Sequence, residues 1–120
     1  IGTIRMDFDF RQGLGIFSRP FFTFIEAKWE EMRLALLQGD VERALNHFVS
    51  YSQERYRSIF LSFSSEKMQA VFGDIIDLRV GSISDYVAYC GAIRREDEEL
   101  YSYPVTFILD RDGVWKIKSF

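Results

Sequence analysis

Residues 101–120 read YSYPVTFILDRDGVWKIKSF. Tyr101, Tyr103, Val105, Phe107 and Leu109 recur at every second position, the period of a strand with one buried face. Asp110, Arg111, Asp112 and Gly113 break the alternation, and Gly113 suits the left-handed position of a tight hairpin turn. Trp115 and Ile117 then resume the period of two and pair back against the same face. The stretch is an antiparallel hairpin with one strongly apolar side, and that side needs a cover.

The cover lies upstream. Going back from the hairpin, Val87, Tyr89, Gly91 and Ile93 alternate with Tyr86, Ala88, Cys90 and Ala92. Before them, Ile76, Leu78 and Val80 alternate with Asp77 and Arg79, so the chain after Gly73 predicts four antiparallel strands. Earlier still the period changes. Phe22, Ile25, Trp29, Met32 and Leu36 step by three and four, an amphipathic helix from about Phe22 that ends at Gly39. Asp40 suits the N-cap of a second helix, with Glu42 in its first turn and Val41, Ala44, Leu45 and Phe48 inward. Ser50 or Ser52 starts a third helix that turns Tyr56, Ile59, Phe60 and Phe63 inward. Ser64 or Ser65 and Gly73 bound a fourth, with Met68, Val71 and Phe72 as its apolar side.

Helices first and strands afterwards is the order of an α+β fold. The expectation is N-terminal helices packed on one face of a curved, mainly antiparallel sheet of four or more strands. At the start of the chain, IGTIRMDFDF alternates Ile4, Met6, Phe8 and Phe10 against Thr3, Arg5, Asp7 and Asp9, a half-buried strand. RQGLGIFSRP follows as a loop marked by Gly13, Gly15 and Pro20. Residues 1–20 are thus a strand and linker, either part of this domain or the end of a preceding module, and 21–120 form the α+β domain.

Composition narrows the function. The chain has 120 residues, 48% hydrophobic and 17% aromatic, with twelve Phe, six Tyr and two Trp. That is enough apolar surface for one proper core, a lined cavity or a subunit interface. The net charge is −3, and no basic stripe offers the counterion release that nucleic-acid binding draws on. Arg94-Arg95 is followed at once by Glu96, Asp97, Glu98 and Glu99, a solvated hairpin loop. No apolar run approaches the ~18–20 residues of a membrane helix. The first residue is Ile1 and no signal peptide is visible, so a fragment of a longer precursor is expected and the compartment stays open.

Few residues offer chemistry. His47 is the only histidine, which excludes multi-histidine metal sites and two-histidine acid–base schemes. It is either a general base in a cleft or a partly exposed helix residue bonded to a neighbour. Tyr51, Tyr56, Tyr89, Tyr101 and Tyr103 either line a pocket or serve as core residues with a wet hydroxyl. Asp77 and Arg79 share a strand face and read as an outward ion pair before a cleft acid with a cationic stabiliser. Asp110, Asp112 and Gly113 lack the twelfth-position glutamate and flanking helix of a calcium loop. Gly13 and Gly15 lack the third glycine of a dinucleotide fingerprint. Cys90, the only cysteine, sits in an apolar strand as an inert core thiol. No catalytic residue, metal or cofactor is assigned. The ligand-pocket candidates are His47, Tyr51, Tyr56, Tyr89 and Tyr103.

The chain resembles the NTF2-like (cystatin-like) superfamily, an α+β cone in which a curved sheet wraps around N-terminal helices. The similarity rests on WEEMRLALLQGDVERALNHF (29–48), ERYRSIF (54–60) and the closing hairpin, and it spans roughly residues 22–120. It implies a bacterial module at the C-terminal end of a longer exported protein, periplasmic or extracellular, whose last cone strand ends the chain. Fold does not fix activity. The superfamily holds enzymes such as ketosteroid isomerase and scytalone dehydratase, transport adaptors and modules without known chemistry, and no catalytic motif aligns here. Two functions are carried forward. One is a non-catalytic interaction module, homodimeric through its sheet face. The other is a binder of an apolar small molecule, or a lyase/isomerase-type enzyme, using the cone pocket.

Overall fold

Five apolar side chains on one helical stripe, Ile25, Trp29, Met32, Ala35 and Leu36, are all buried, and the helix that carries them is the spine of the molecule. The computed structural model describes residues 4–5 and 19–120, with side chains from residue 24 onward. Among these, a short strand β1 (Ile4–Arg5) precedes the helices α1 (Arg19–Leu37), α2 (Val41–Leu45), α3 (Ser50–Leu61) and α4 (Ser65–Phe72). Strands β2 (Ile75–Ile83), β3 (Val87–Glu96), β4 (Glu99–Leu109) and β5 (Trp115–Ser119) follow. The protein is α+β, with four helices packed against a curved, unclosed antiparallel sheet.

Helix α1 begins at Arg19, three residues before the expected start, and takes in Pro20. Proline is tolerated there because the first-turn N–H groups have no helical acceptor in any case. The helix stops in a Schellman motif: the Gly39 N–H donates to Leu36 O and the Asp40 N–H to Ala35 O. Gly39 has φ +79°, which a side chain would oppose. Asp40 then caps α2, its carboxylate accepting from the Arg43 N–H at 3.2 Å. Ser64 caps α4 in the same way through Lys67.

The third helix starts differently from the expectation. Val49 precedes it without a side-chain cap, and Ser52, buried, spends its hydroxyl on Lys118 O at 2.8 Å. That bond ties α3 to β5. A second tie is backbone pairing, with the Ile117 N–H donating to His47 O at 2.7 Å and the Val49 N–H to Ile117 O at 3.0 Å. Phe48 thereby forms a parallel bridge to Ile117, so β5 is hydrogen-bonded on both sides.

Strand β3 pairs with β4 from Val87–Ile108 to Glu96–Glu99 and with β2 on its other side. The second edge of β4 is shared: β1 pairs at Tyr101 and Ser102, β5 from Thr106 to Leu109. Of the expected N-terminal strand and linker, only Ile4–Arg5 and the start of α1 fall among the described residues. The β2–β3 register slips between Ile75 and Asp77 and again between Val80 and Ser82, and the first bulge corrects the alternation read from sequence. Ile75 turns toward the core, while Ile76 is 54% exposed.

The inward face of β3 is Ala88, Cys90 and Ala92, all small and all buried. Across from it stand Val105 and Phe107 of β4 and Trp115 and Ile117 of β5. Small residues on the sheet leave room for the large rings the helices supply.

Candidate functional site

Those rings do not fill all the space. A half-open cavity of about 310 Å³ lies between the helices and the sheet, over Ala92 and Val105. Its floor is Trp29 from α1, Phe60 from α3 and Phe72 from α4, all buried. Ile59, Phe63 and Val71 stand at the mouth on the helical side, with Arg94 and Tyr103 on the sheet side. Ile59 and Phe63, expected in the core, are therefore rim residues because α3 ends where the cavity opens.

Phe120 projects into this space. Its ring stacks on Tyr56 at 5.1 Å and meets Trp29, Phe48, Phe60 and Phe72 at centroid distances between 5.4 and 6.3 Å. The Tyr56 hydroxyl holds its backbone in place, accepting from the Phe120 N–H at 2.9 Å and donating to Phe120 O at 3.2 Å. The cavity is partly plugged by Phe120, the residue that follows β5.

The polar rim is small and tightly wired. The Tyr103 hydroxyl donates to Glu96 Oε2 at 2.6 Å, and this bond holds the phenol above its ordinary pKa. Arg94 donates to Ala70 O at 2.8 Å, and its guanidinium lies 3.9 Å from both Asp74 and Glu96. Arg33 donates to Phe72 O at 2.9 Å, so two cations sit on the last carbonyls of α4, where the helix dipole favours positive charge. Two donors in the wall remain unused. The Trp29 indole N–H and the Arg94 Nε–H are buried and have no acceptor among the described residues. An unpaired buried donor costs about 1–3 kcal/mol, so each calls for an explanation.

Of the residues expected to line a pocket, Tyr56 and Tyr103 do so. His47, Tyr51 and Tyr89 lie elsewhere. Tyr51 is 69% exposed on α3, and Tyr89 is 58% exposed on the outer sheet face, opposite in parity to Ala88 and Cys90. His47 sits where α2 meets β5, with Nε2 at 3.7 Å from Glu31. Burial lowers its pKa, the Glu31 carboxylate opposes that, and Lys28 and Arg43 add to it. Tyr101 donates to Glu99 at 3.1 Å.

Asp77 and Arg79 pair at 2.8 Å on the outer face. Asp110 and Asp112 both take Lys116, at 3.0 and 2.8 Å, which makes their loop an ion-paired turn. Cys90 is buried, and burial together with the Glu26 charge pushes its thiol up to about 12, which keeps it protonated and unreactive.

Trp29, Arg94 and Phe120 were not singled out from the sequence as pocket residues. Arg94 had a signal: it continues the parity of Ala88, Cys90 and Ala92. Its neighbours in a charged run made it read as loop.

Among the described residues the wall offers two phenols, a guanidinium and an indole N–H, and no carboxylate, imidazole or thiol side chain. Among the described residues no three His, Cys, Asp or Glu side chains gather as a metal site, and no helix is long and apolar enough to cross a membrane. Comparison with protein-family models, curated proteins and solved structures finds no significant match.

Proposed function

We propose that this domain is a non-catalytic interaction module of a larger bacterial exported protein, with an NTF2-like cone that self-associates through its outer sheet face. The observation that carries the reading is that face. Tyr89 stands exposed between Val87 and Gly91, with Thr106 and Ile108 beside it on β4 and the exposed Tyr86 just before β3. A second copy is the favoured partner because a two-fold axis over β3 and β4 sets each Tyr89 against the other copy's apolar strip. The Asp77–Arg79 pair lies at the rim of such a strip. The periplasmic or extracellular setting follows from the sequence resemblance alone.

Native mass spectrometry and sedimentation of the purified chain test it. The expected result is a dimer with no added mass, converted to monomer by Tyr89→Glu with an unchanged circular dichroism spectrum. A standard interface buries roughly 800 Å² per partner, and an unpaired carboxylate buried at its centre is strongly unfavourable. A wild-type monomer at high concentration would sink the proposal.

The cavity favours a second reading, a small-molecule binder or a lyase/isomerase-type enzyme that uses the cone. A retained molecule released on denaturation would bring it forward.

A further inference from the structure

The cone cavity has an imbalance of hydrogen-bonding groups. Its two unpaired buried donors, Trp29 Nε1–H and Arg94 Nε–H, belong to residues on opposite walls, one on α1 and one on β3. Tyr103 donates to Glu96 and Phe120 O accepts from Tyr56, and although both oxygens keep a lone pair, neither is bonded by these two donors. What the two donors lack is an acceptor within reach. Buried polar groups in folded proteins are nearly always paired, so two orphans in the wall of one cavity point to an acceptor that arrives with an occupant.

Charge decides what kind of acceptor. Arg94 alone would suit a carboxylate, but Asp74 and Glu96 both stand 3.9 Å from its guanidinium. An anion beside that guanidinium meets the Asp74 and Glu96 carboxylates, while the neighbouring cation, Arg33, is already paired with Glu30. A neutral oxygen accepts the same N–H without that repulsion. Size and lining set the remainder of the molecule. Small-molecule sites run from roughly 300 to 1,000 Å³, and 310 Å³ is at the compact end. Apart from Arg94 and the phenols of Tyr56 and Tyr103, the wall is hydrocarbon and aromatic ring.

We infer that the cavity takes a compact, uncharged, mainly apolar molecule with one hydrogen-bond-accepting oxygen, which receives the N–H of Arg94 or Trp29. The inference deepens the second reading above and rests on it. Both nitrogens are shielded from water, so donation to an occupant requires a small turn of either side chain toward the cavity.

Adamantanone, adamantane and adamantane carboxylate share one rigid cage and differ only in the oxygen. Their binding to the intact chain is read by tryptophan fluorescence and thermal shift, with Ala92→Leu as the variant that blocks the cavity. The ketone should bind roughly tenfold tighter than either of the others, because a site with unpaired donors discriminates against a ligand that leaves them unpaired. Ala92→Leu should abolish binding. Arg94→Met or Trp29→Phe should reduce the ketone to the level of the hydrocarbon, with an unchanged circular dichroism spectrum showing that loss of the Arg94 bond to Ala70 O leaves the fold in place. If ketone and hydrocarbon bind equally, or if both variants keep the preference, the inference falls while the pocket reading stands. Tightest binding by the carboxylate likewise overturns the inference. If none of the three binds, or if binding survives Ala92→Leu, the pocket reading fails with it.

Discussion

His47 shows how one side chain can be legible in type and illegible in place. As the only histidine it was the natural candidate for acid–base work, yet it packs at the α2–β5 junction, away from the cone. Its lowered pKa has a cost at acid pH. The folded state holds the imidazole neutral to lower pH than the unfolded chain, which takes up a proton near the ordinary value of about 6.5. Below that pH the unfolded state binds more protons, so stability falls as pH drops through the unfolded pKa. Above it both states are neutral and the term vanishes. Urea midpoints of wild type and His47→Gln should therefore differ in slope between pH 7 and 5, the variant losing less stability. Parallel slopes would mean that His47 is not desolvated. Arg94 failed in the opposite sense, since its parity was on the page but its charged neighbours in sequence hid it.

At the scale of elements, the helices were legible because each carries its own punctuation. Asp40, Ser64 and Gly39 do what caps do, with local hydrogen bonds that sequence spacing predicts. The strands were legible in parity but not in register. The bulge at Ile76 depends on how β2 fits β3, and no periodicity within β2 announces it. The β3–β4 connection is a two-residue turn in which Asp97 and Glu98 both have positive φ, 49° and 68°. Type I′ turns prefer Asn-Gly there, since a side chain at positive φ costs free energy. Glu98→Gly should raise the denaturant midpoint by about 0.5–1 kcal/mol of stability at an unchanged m-value. A lower midpoint would mean that the turn carries contacts of its own and is not simply strained.

At the scale of the whole molecule, Phe120, just past β5, joins the sheet to α1, α3 and α4 around the cavity. One ring touches side chains from α1, α3, α4 and the α2–α3 connection, and the Tyr56 hydroxyl holds its backbone at both N–H and carbonyl. The hairpin of residues 101–120 predicted the strand, but not that its final side chain would turn inward as a plug, because that depends on the small residues of β3 making room. Trp115, at the other end of β5, packs into the core without lining the cavity. Large-to-small changes of buried aromatic residues cost about 3–5 kcal/mol; Trp115→Ala should fall in that range and the partly buried Phe120→Ala below it. They should also part in their response to a ligand. Removing the Phe120 ring opens an aromatic-lined space continuous with a cavity that ligands can reach. Benzene should then raise the melting temperature of Phe120→Ala by binding the native state only, and leave Trp115→Ala unchanged. Equal rescue of both variants, or of neither, would show that Phe120 is ordinary core and that the cone is closed without it.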